Sequence, residues 1–267
     1  MNTVEVMNEY NTFERQRVNA FNGQLETNNN VTRFVSEDEN GSYISYFNFD
    51  PAQADAIIKQ QVRYFQAKDL RFEWKTYSTD TPAHLGSVLL QNGFEQEDTE
   101  SFMVLDLASA PNQPFDDAII TQVSDSQGIR DAITVQENVW GGDFEWQYHY
   151  LLQLKTQTPD SISIYVIYVD GTPVTSAWII FNGDSPFAGI WGGSTVKAHR
   201  GNGHYRALLN KRIAEAKSRG LKYLTIDASE MSQPIVAKRG FIKVATTTGY
   251  TSPNHCLYAR LSLTASH

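Results

Sequence analysis

The segment Thr195–Arg212, read as Thr-Val-Lys-Ala-His-Arg-Gly-Asn-Gly-His-Tyr-Arg-Ala-Leu-Leu-Asn-Lys-Arg, holds the residue types that bind a phosphate. The apolar run ahead of it predicts a strand, and the apolar stripe after it predicts a helix. A loop turning from strand into helix aims backbone N–H groups and the positive end of the helix dipole at one point. The charges are one-sided. No Asp or Glu occurs from Ser185 to Ala214, although the chain carries 30 of them, while Lys197, Arg200, Arg206, Lys211 and Arg212 all fall there. A plain helix start favours Ser, Thr or Asp with acids nearby. This start has two glycines and only bases, so it asks for an anionic ligand.

Other motifs are weaker or excluded. In Trp140-Gly141-Gly142-Asp143-Phe144-Glu145-Trp146, aromatic rings beside two acids suit a cationic amine. The same stretch also reads as a helix junction with the tryptophans in the core and Asp143 as a cap. Gly201-Asn202-Gly203 invites comparison with the dinucleotide fingerprint G-x-G-x-x-G, with Asp227 at the end of the next strand as the ribose-binding acid. Against it, Arg206 replaces the third glycine, polar residues 197–200 separate strand from glycine, and no repeated βαβ pattern occurs. An NAD(P)-dependent oxidoreductase is therefore a rival reading only. No HExxH or paired CxxC occurs and the six histidines are scattered, so no metal is expected.

The loop must be positioned by the elements around it. Ile162–Val169, Pro173–Phe181 and Phe187–Val196, joined at Asp170-Gly171 and by an Asn-Gly turn, predict an antiparallel meander. Ahead of it lie a strand, Ala118–Val123, and two helices, Gln127–Trp140 and Phe144–Gln157. Tyr205, Leu208, Leu209, Ile213 and Ala216 form one apolar stripe on the helix after the loop, with Arg206, Asn210, Lys217 and Arg219 on other faces. A strand Leu221–Asp227, a short helix Ser232–Arg239 and a strand opening at Gly240-Phe241 follow. The first half repeats this order: helix Ala52–Lys68, strand Leu70–Tyr77, helix Pro82–Gln91, then Gly93-Phe94 and strand Ser101–Leu107. Where the second half has its basic loop, the first has Asn48-Phe49-Asp50-Pro51-Ala52, which is acidic and cannot cradle a phosphate. The stretch Ala108–Asp117 reads as the linker. The pattern is α+β (mixed α/β).

Composition bounds the rest. The 267 residues suffice for two cores. A net charge of −8 excludes a protein that coats nucleic acid. One cysteine, Cys256, cannot form an internal disulfide; it reads as a packed thiol, and the chain as cytoplasmic. Met1–Arg15 lacks the apolar core of a signal peptide, and no apolar run reaches membrane-spanning length, so no membrane partner is expected.

The loop also fits R-x-x-G-x-(G/A), with Arg200, Gly203 and Tyr205 at the three fixed places, Tyr205 departing from the small residue of the last. In motif, element order, charge island and internal repeat the chain resembles the GNAT superfamily of acetyl-coenzyme A-dependent N-acyltransferases, over about residues 118–261. The resemblance implies two GNAT-like domains, each a mixed, mostly antiparallel twisted sheet flanked by helices. Residues 1–110 would be a degenerate copy without the phosphate loop, and residues 111–267 the acetyl-CoA-binding catalytic domain.

It further implies an N-acetyltransferase acting on a primary amine of a small molecule or peptide. Cofactor-binding residues would be Ser194, Thr195 and Val196, pairing with pantetheine, and Arg200, Gly201, Asn202, Gly203, His204, Tyr205 and Arg206, holding the pyrophosphate. Gly192-Gly193 within a strand predicts a bulge or a close approach. The family's strand glutamate is absent from Gly189–Val196, and Val236 stands where many members have a tyrosine. Ser232, Tyr250 and Glu145 are the remaining candidates for acid and base, Ser232 reading first as a helix N-cap. The missing groups keep a non-catalytic acyl-CoA-binding sensor or scaffold as the alternative, and leave a homodimer open.

Overall fold

The computed structural model describes residues 1–17, 21–28, 31–38 and 41–253. Cys256 lies outside the described residues. By contacts the chain forms two compact units, one of residues 1–103, 227–236 and 243–267, the other of residues 104–226 and 237–242. Segments beyond the linker thus return to the first unit.

The second unit is built on the expected meander. Strands β8 (Ile162–Val169), β9 (Thr172–Phe181) and β10 (Phe187–Thr195) pair antiparallel in sequence, and β7 (Thr121–Val123) adds antiparallel to β8. Asp170 and Gly171 both take positive φ, as a two-residue hairpin of this twist requires. Helix α4 (Ser126–Trp140) starts at Asp125, whose side chain accepts from the Gly128 N–H at 2.7 Å, and stops at Gly141 in a left-handed conformation. Its buried residues Ile129, Ala132, Ile133 and Gln136 recur at helical spacing and face the meander. Helix α5 (Glu145–Gln157) follows. Helix α6 (His204–Ser218) then crosses over to β11 (Tyr223–Ala228), which runs parallel to β10.

The first unit repeats the order of meander, crossover helix and parallel strand. Strands β1 (Gly23–Asn28), β2 (Val31–Ser36) and β3 (Ser42–Phe47) pair antiparallel, and α2 (Ala54–Gln66) crosses to β4 (Phe72–Trp74), parallel to β3. Strand β5 (Thr76–Tyr77), helix α3 (Leu85–Gln91) and strand β6 (Glu95–Asp106) follow, preceded in the chain by helix α1 (Thr3–Tyr10). The expected strand over 70–77 is interrupted at Lys75, yet β4 and β5 pair β12 (Ile242–Thr251) in one register, Glu73 opposite Thr251 and Tyr77 opposite Thr247. Ile44, Phe47, Ile58, Phe65, Trp74 and Leu89 form its core. The short helix α7 (Gln233–Ala237) lies between β11 and β12. Both units are mixed α+β, mostly antiparallel sheets flanked by helices.

Candidate functional site: the loop opening helix α6

Three glycines shape the strand that leads into the loop. Pairing of β10 with β9 shifts register between Trp191 and Ser194, so Gly192 and Gly193 form the expected bulge, with Gly192 at φ +59°. A β-carbon on Gly192 would lie 1.9 Å from the Trp178 ring, one on Gly193 2.8 Å from the Tyr205 ring, and one on Gly189 2.6 Å from Trp191 Nε1. The glycines therefore serve both ends at once, turning the backbone and admitting aromatic rings against it. The parallel register of β10 with β11 runs only from Phe187↔Tyr223 to Gly189↔Thr225, so this ladder ends two residues short of the bulge.

Two buried side chains hold the bulge, and sequence reasoning missed their part in it. Gln136 on α4 donates from Nε2 to Ser176 Oγ and to the Gly192 carbonyl, both at 2.7 Å, and its Oε1 accepts from Ser194 Oγ at 3.0 Å. Ser194 Oγ also accepts from Trp140 Nε1 at 3.0 Å. Arg212 on α6 is 1 % exposed; it donates to the Leu208, Trp178 and Trp191 carbonyls, while its Nη2 has no partner among the described residues. Burial pulls its guanidinium down to about 10, which still leaves it charged at neutral pH. The signal for Arg212 was present: it stands seven residues after Tyr205 and four after Leu208, on the apolar stripe. Nothing in the sequence announces the hydrogen bonds of Gln136.

Beyond β10 the chain makes one short helical turn, Lys197–His199, before the glycines. Gly201 and Gly203 take φ +85° and +84°, and Gly203 caps α6 with no side chain at its first N–H groups and no acid in its first turn. These first N–H groups lack intrahelical acceptors, as at every helix start. A β-carbon on Gly201 would meet nothing within 4 Å, so the loop is open on that side. His204 Nδ1 is buried without a partner among the described residues, and burial together with His199 lowers its pKa, which favours the neutral ring. Burial raises the Tyr205 pKa, so its phenol stays protonated. Asn202 and Arg206 are exposed.

The cationic island is smaller than its sequence suggests. Arg200 Nε folds back on the Thr195 carbonyl at 3.0 Å, Lys211 Nζ pairs with Asp117 at 2.8 Å, and Arg212 is buried. Lys197 and Arg206 are exposed and carry no side-chain partner among the described residues. Asn210, expected on an outer face, is 5 % exposed because its Nδ2 donates to the Pro114 carbonyl at 3.2 Å. Lys217 reaches the same linker at Ala110 and Asn112. Helix α6 is thus covered on two sides.

The strand residues read as cofactor-binding keep one edge in the meander. The Val196 N–H donates to the Val174 carbonyl at 2.9 Å, Ser194 and Thr195 pair with Ser176 and Thr175, and Thr175 Oγ1 donates to Thr195 Oγ1. The remaining candidates are engaged in other ways. Glu145 takes a bidentate pair from Arg130 at 2.8 and 2.9 Å and a contact from His149 at 3.1 Å, and the Arg130 hydrogen bonds hold its pKa down. Asp143 Oδ1 accepts from the Glu145 N–H at 2.7 Å, so it caps α5; Trp140 and Trp146 are 58 % and 49 % exposed, not core. Ser232 Oγ donates to the Ser229 carbonyl at 3.3 Å, at the start of α7. Tyr250 lies in the first unit, buried with Phe72, Leu85 and Leu89, its hydroxyl against Gly86 at the edge of a cavity of about 430 Å³. Asp227, the acid of the nicotinamide reading, pairs with Lys75 at 2.7 Å.

Residues 129–241 match the family model for acetyltransferases of the GNAT family. No curated protein matches the chain. Among solved structures, a GCN5-related N-acetyltransferase from Kribbella flavida aligns at a TM-score of 0.63 and 16 % identity, over 89 % of this chain and 92 % of its own. An acetyltransferase of the GNAT family from Colwellia psychrerythraea aligns at 0.53 and 12 %, over 94 % and 96 %. A tandem GNAT protein of the clavulanic acid biosynthesis pathway aligns at 0.53 and 13 %, over 84 % and 79 %. At such identities the likeness is one of fold.

Proposed function

We propose, from the match of residues 129–241 to the GNAT acetyltransferase family model, that the chain moves an acetyl group from acetyl-coenzyme A to a primary amine of a small molecule or peptide. The family as a whole transfers acyl groups from acyl-coenzyme A. The observation that carries the reading is the start of α6, where Gly201 and Gly203 turn left-handed, no side chain occupies the cap and no acid stands in the first turn. Such a start holds a pyrophosphate on backbone N–H groups, with Lys197 and Arg206 placed in sequence to add charge. Ser194 and Thr195 at the end of β10, with Val196 just after it, offer backbone to pantetheine on the edge away from β9.

Acetyl-coenzyme A, when bound, supplies an activated acyl group and a thiolate leaving group. The chain's own part is to orient it, to hold the bulge rigid through Gln136 and Arg212, and to move two protons, one off the ammonium and one onto sulfur. Tyr205 is the protonated hydroxyl packed on that bulge, against Gly193. Residues 1–110 serve in this reading as a degenerate copy, since Asp50 accepts from the Ala52 N–H at 2.9 Å and so fills the turn where a phosphate would sit.

The test is thermal. Acetyl-coenzyme A raises the melting temperature of the wild type, and Gly203→Glu, with its left-handed backbone and added charge, abolishes the shift. Absence of a shift at about millimolar ligand, a level at which even weak binding registers, rejects the reading. Val236, fully buried where many family members carry tyrosine, favours the second reading of an acyl-coenzyme A sensor or scaffold. Binding without release of free thiol across a panel of amines selects it.

A further inference from the structure

Arg212 is fully buried in the second unit, and its charge is unbalanced there. Its Nε donates to the Leu208 carbonyl of its own helix at 3.1 Å, and its Nη1 to the Trp178 and Trp191 carbonyls at 3.4 and 3.3 Å. Trp178 and Trp191 are the last cross-strand pair of β9 and β10 before the register shifts at the glycines. The guanidinium therefore clamps the near end of the bulge. Its Nη2 donates to nothing among the described residues.

No carboxylate among the described residues pairs with this guanidinium. Glu215, three residues further along α6, accepts from Ser163, Tyr165 and Arg219 instead. Lys211, next to Arg212, pairs with Asp117. The titratable groups whose charge Arg212 feels are the phenols of Tyr205 and Tyr165, and burial keeps both protonated. From α4, Gln136 and Trp140 reach the bulge and Ser194, and both are neutral. A buried charge is tolerated where hydrogen bonds and an opposite charge repay its lost hydration; an apolar side chain of equal volume packs at less cost. Three carbonyls supply the hydrogen bonds. Among the described residues no anion meets the charge.

We propose that Arg212 is a positioning residue for the leaving sulfur: its charge, acting through the bulge it clamps, holds the sulfur of coenzyme A as an anion. The inference rests on the coenzyme A reading, which puts the pyrophosphate at the start of α6 and pantetheine along residues 194–196. The sulfur end then reaches Gly192 and Gly193. As the amine nitrogen bonds the acyl carbon, the carbon–sulfur bond breaks with its electron pair on sulfur, and the nitrogen gives one proton to water. A positive charge fixed in a low dielectric beside the bulge favours that electron pair on sulfur. The proton that sulfur finally takes then comes from water after release. No side chain has to deliver it.

The experiment is calorimetric titration of the full chain with coenzyme A and with desulfo-coenzyme A, in which hydrogen replaces the thiol, at pH 6 and pH 9. Titration of the loop histidines acts on both ligands alike and cancels in the ratio of their affinities. A thiol that ionises more readily in the complex strengthens binding as pH rises through its bound value, up to its free value. Arg212, at about 10, is still largely charged at pH 9. In the wild type the preference for coenzyme A is expected to rise about threefold or more between the two pH values, as for a thiol ionising about one pH unit lower when bound. Arg212→Met, of similar volume without the charge, is expected to bind desulfo-coenzyme A and to lose the rise. Tyr205→Phe removes the phenol packed on the bulge and is expected to keep it. A flat preference in the wild type, a rise that survives in Arg212→Met, or one that departs with Tyr205 overturns the role of Arg212 and leaves the cofactor reading in place. Where Arg212→Met does not fold, the wild type and Tyr205→Phe decide by the same outcomes. Failure of both ligands to bind the wild type rejects the coenzyme A reading, and the role of Arg212 with it.

Discussion

Each glycine along β10 answers to one aromatic ring, and the rings differ in their freedom to move. Trp178 is 3 % exposed and fixed in the core, so a methyl on Gly192 has nowhere to go and also meets φ +59°. Trp191 is 46 % exposed and can swing away from Gly189. Gly192→Ala is therefore expected to cost about 3 kcal/mol or more, from strain and overpacking together. Gly189→Ala is expected to cost under about 1 kcal/mol, because the ring it meets can turn into solvent. Urea unfolding midpoints separate the two, and equal losses reject the account. The glycine pair was legible as a bulge; the identity of the rings was not, because Trp178 and Tyr205 come from other elements.

A second residue-scale prediction concerns pH. Burial, opposed by Lys75 and reinforced by Glu97 and Asp227, raises the Glu73 pKa. A carboxyl raised in the folded state costs stability wherever it is ionised, and the cost fades as the pH falls through its folded value. Glu73→Gln should raise the melting temperature at about pH 8 and leave it unchanged below about pH 4, where both states hold the proton. A drop at the higher pH contradicts the sign.

At the scale of elements, the site rests on α4 as much as on its own loop. Gln136 satisfies the Gly192 carbonyl and two serine hydroxyls, so Gln136→Leu leaves that carbonyl and the Ser176 hydroxyl without this partner and takes from Ser194 one of its two bonds, the one from Trp140 remaining. With about 1–3 kcal/mol for each unsatisfied group and partial relaxation, a loss of about 2–4 kcal/mol is expected. Amide hydrogen exchange should quicken at Ile190–Thr195 before the rest of the sheet; protection unchanged there contradicts the buttress. The meander, α6 and its loop were legible because period and turn chemistry agreed. The extent of β6 was not: residues 95–100, Glu-Gln-Glu-Asp-Thr-Glu, have no apolar alternation, and strand pairing rather than burial makes them extended. Strand 70–77 was legible as one run, and Lys75 divides it.

At the scale of the whole molecule, the internal repeat could be read from the order of elements, but the exchange of segments could not. Pairing between β12 and β4 joins residues that stand 178 apart in the register Thr251↔Glu73, and no local pattern encodes a partner at that distance. In the first unit the strand order β1-β2-β3-β4-β12-β6 puts β12 between β4 and β6. Residues 1–110 alone would therefore leave β4 and β6 without the strand that joins them, with unpaired backbone on both facing edges. That fragment is expected to lack a cooperative thermal transition by circular dichroism. Co-expression with residues 111–267 should restore one, because the second piece brings β12 back. A cooperative melt of the first fragment by itself shows that β12 is dispensable to the first unit, and with it the argument that the chain folds as two units built from exchanged segments.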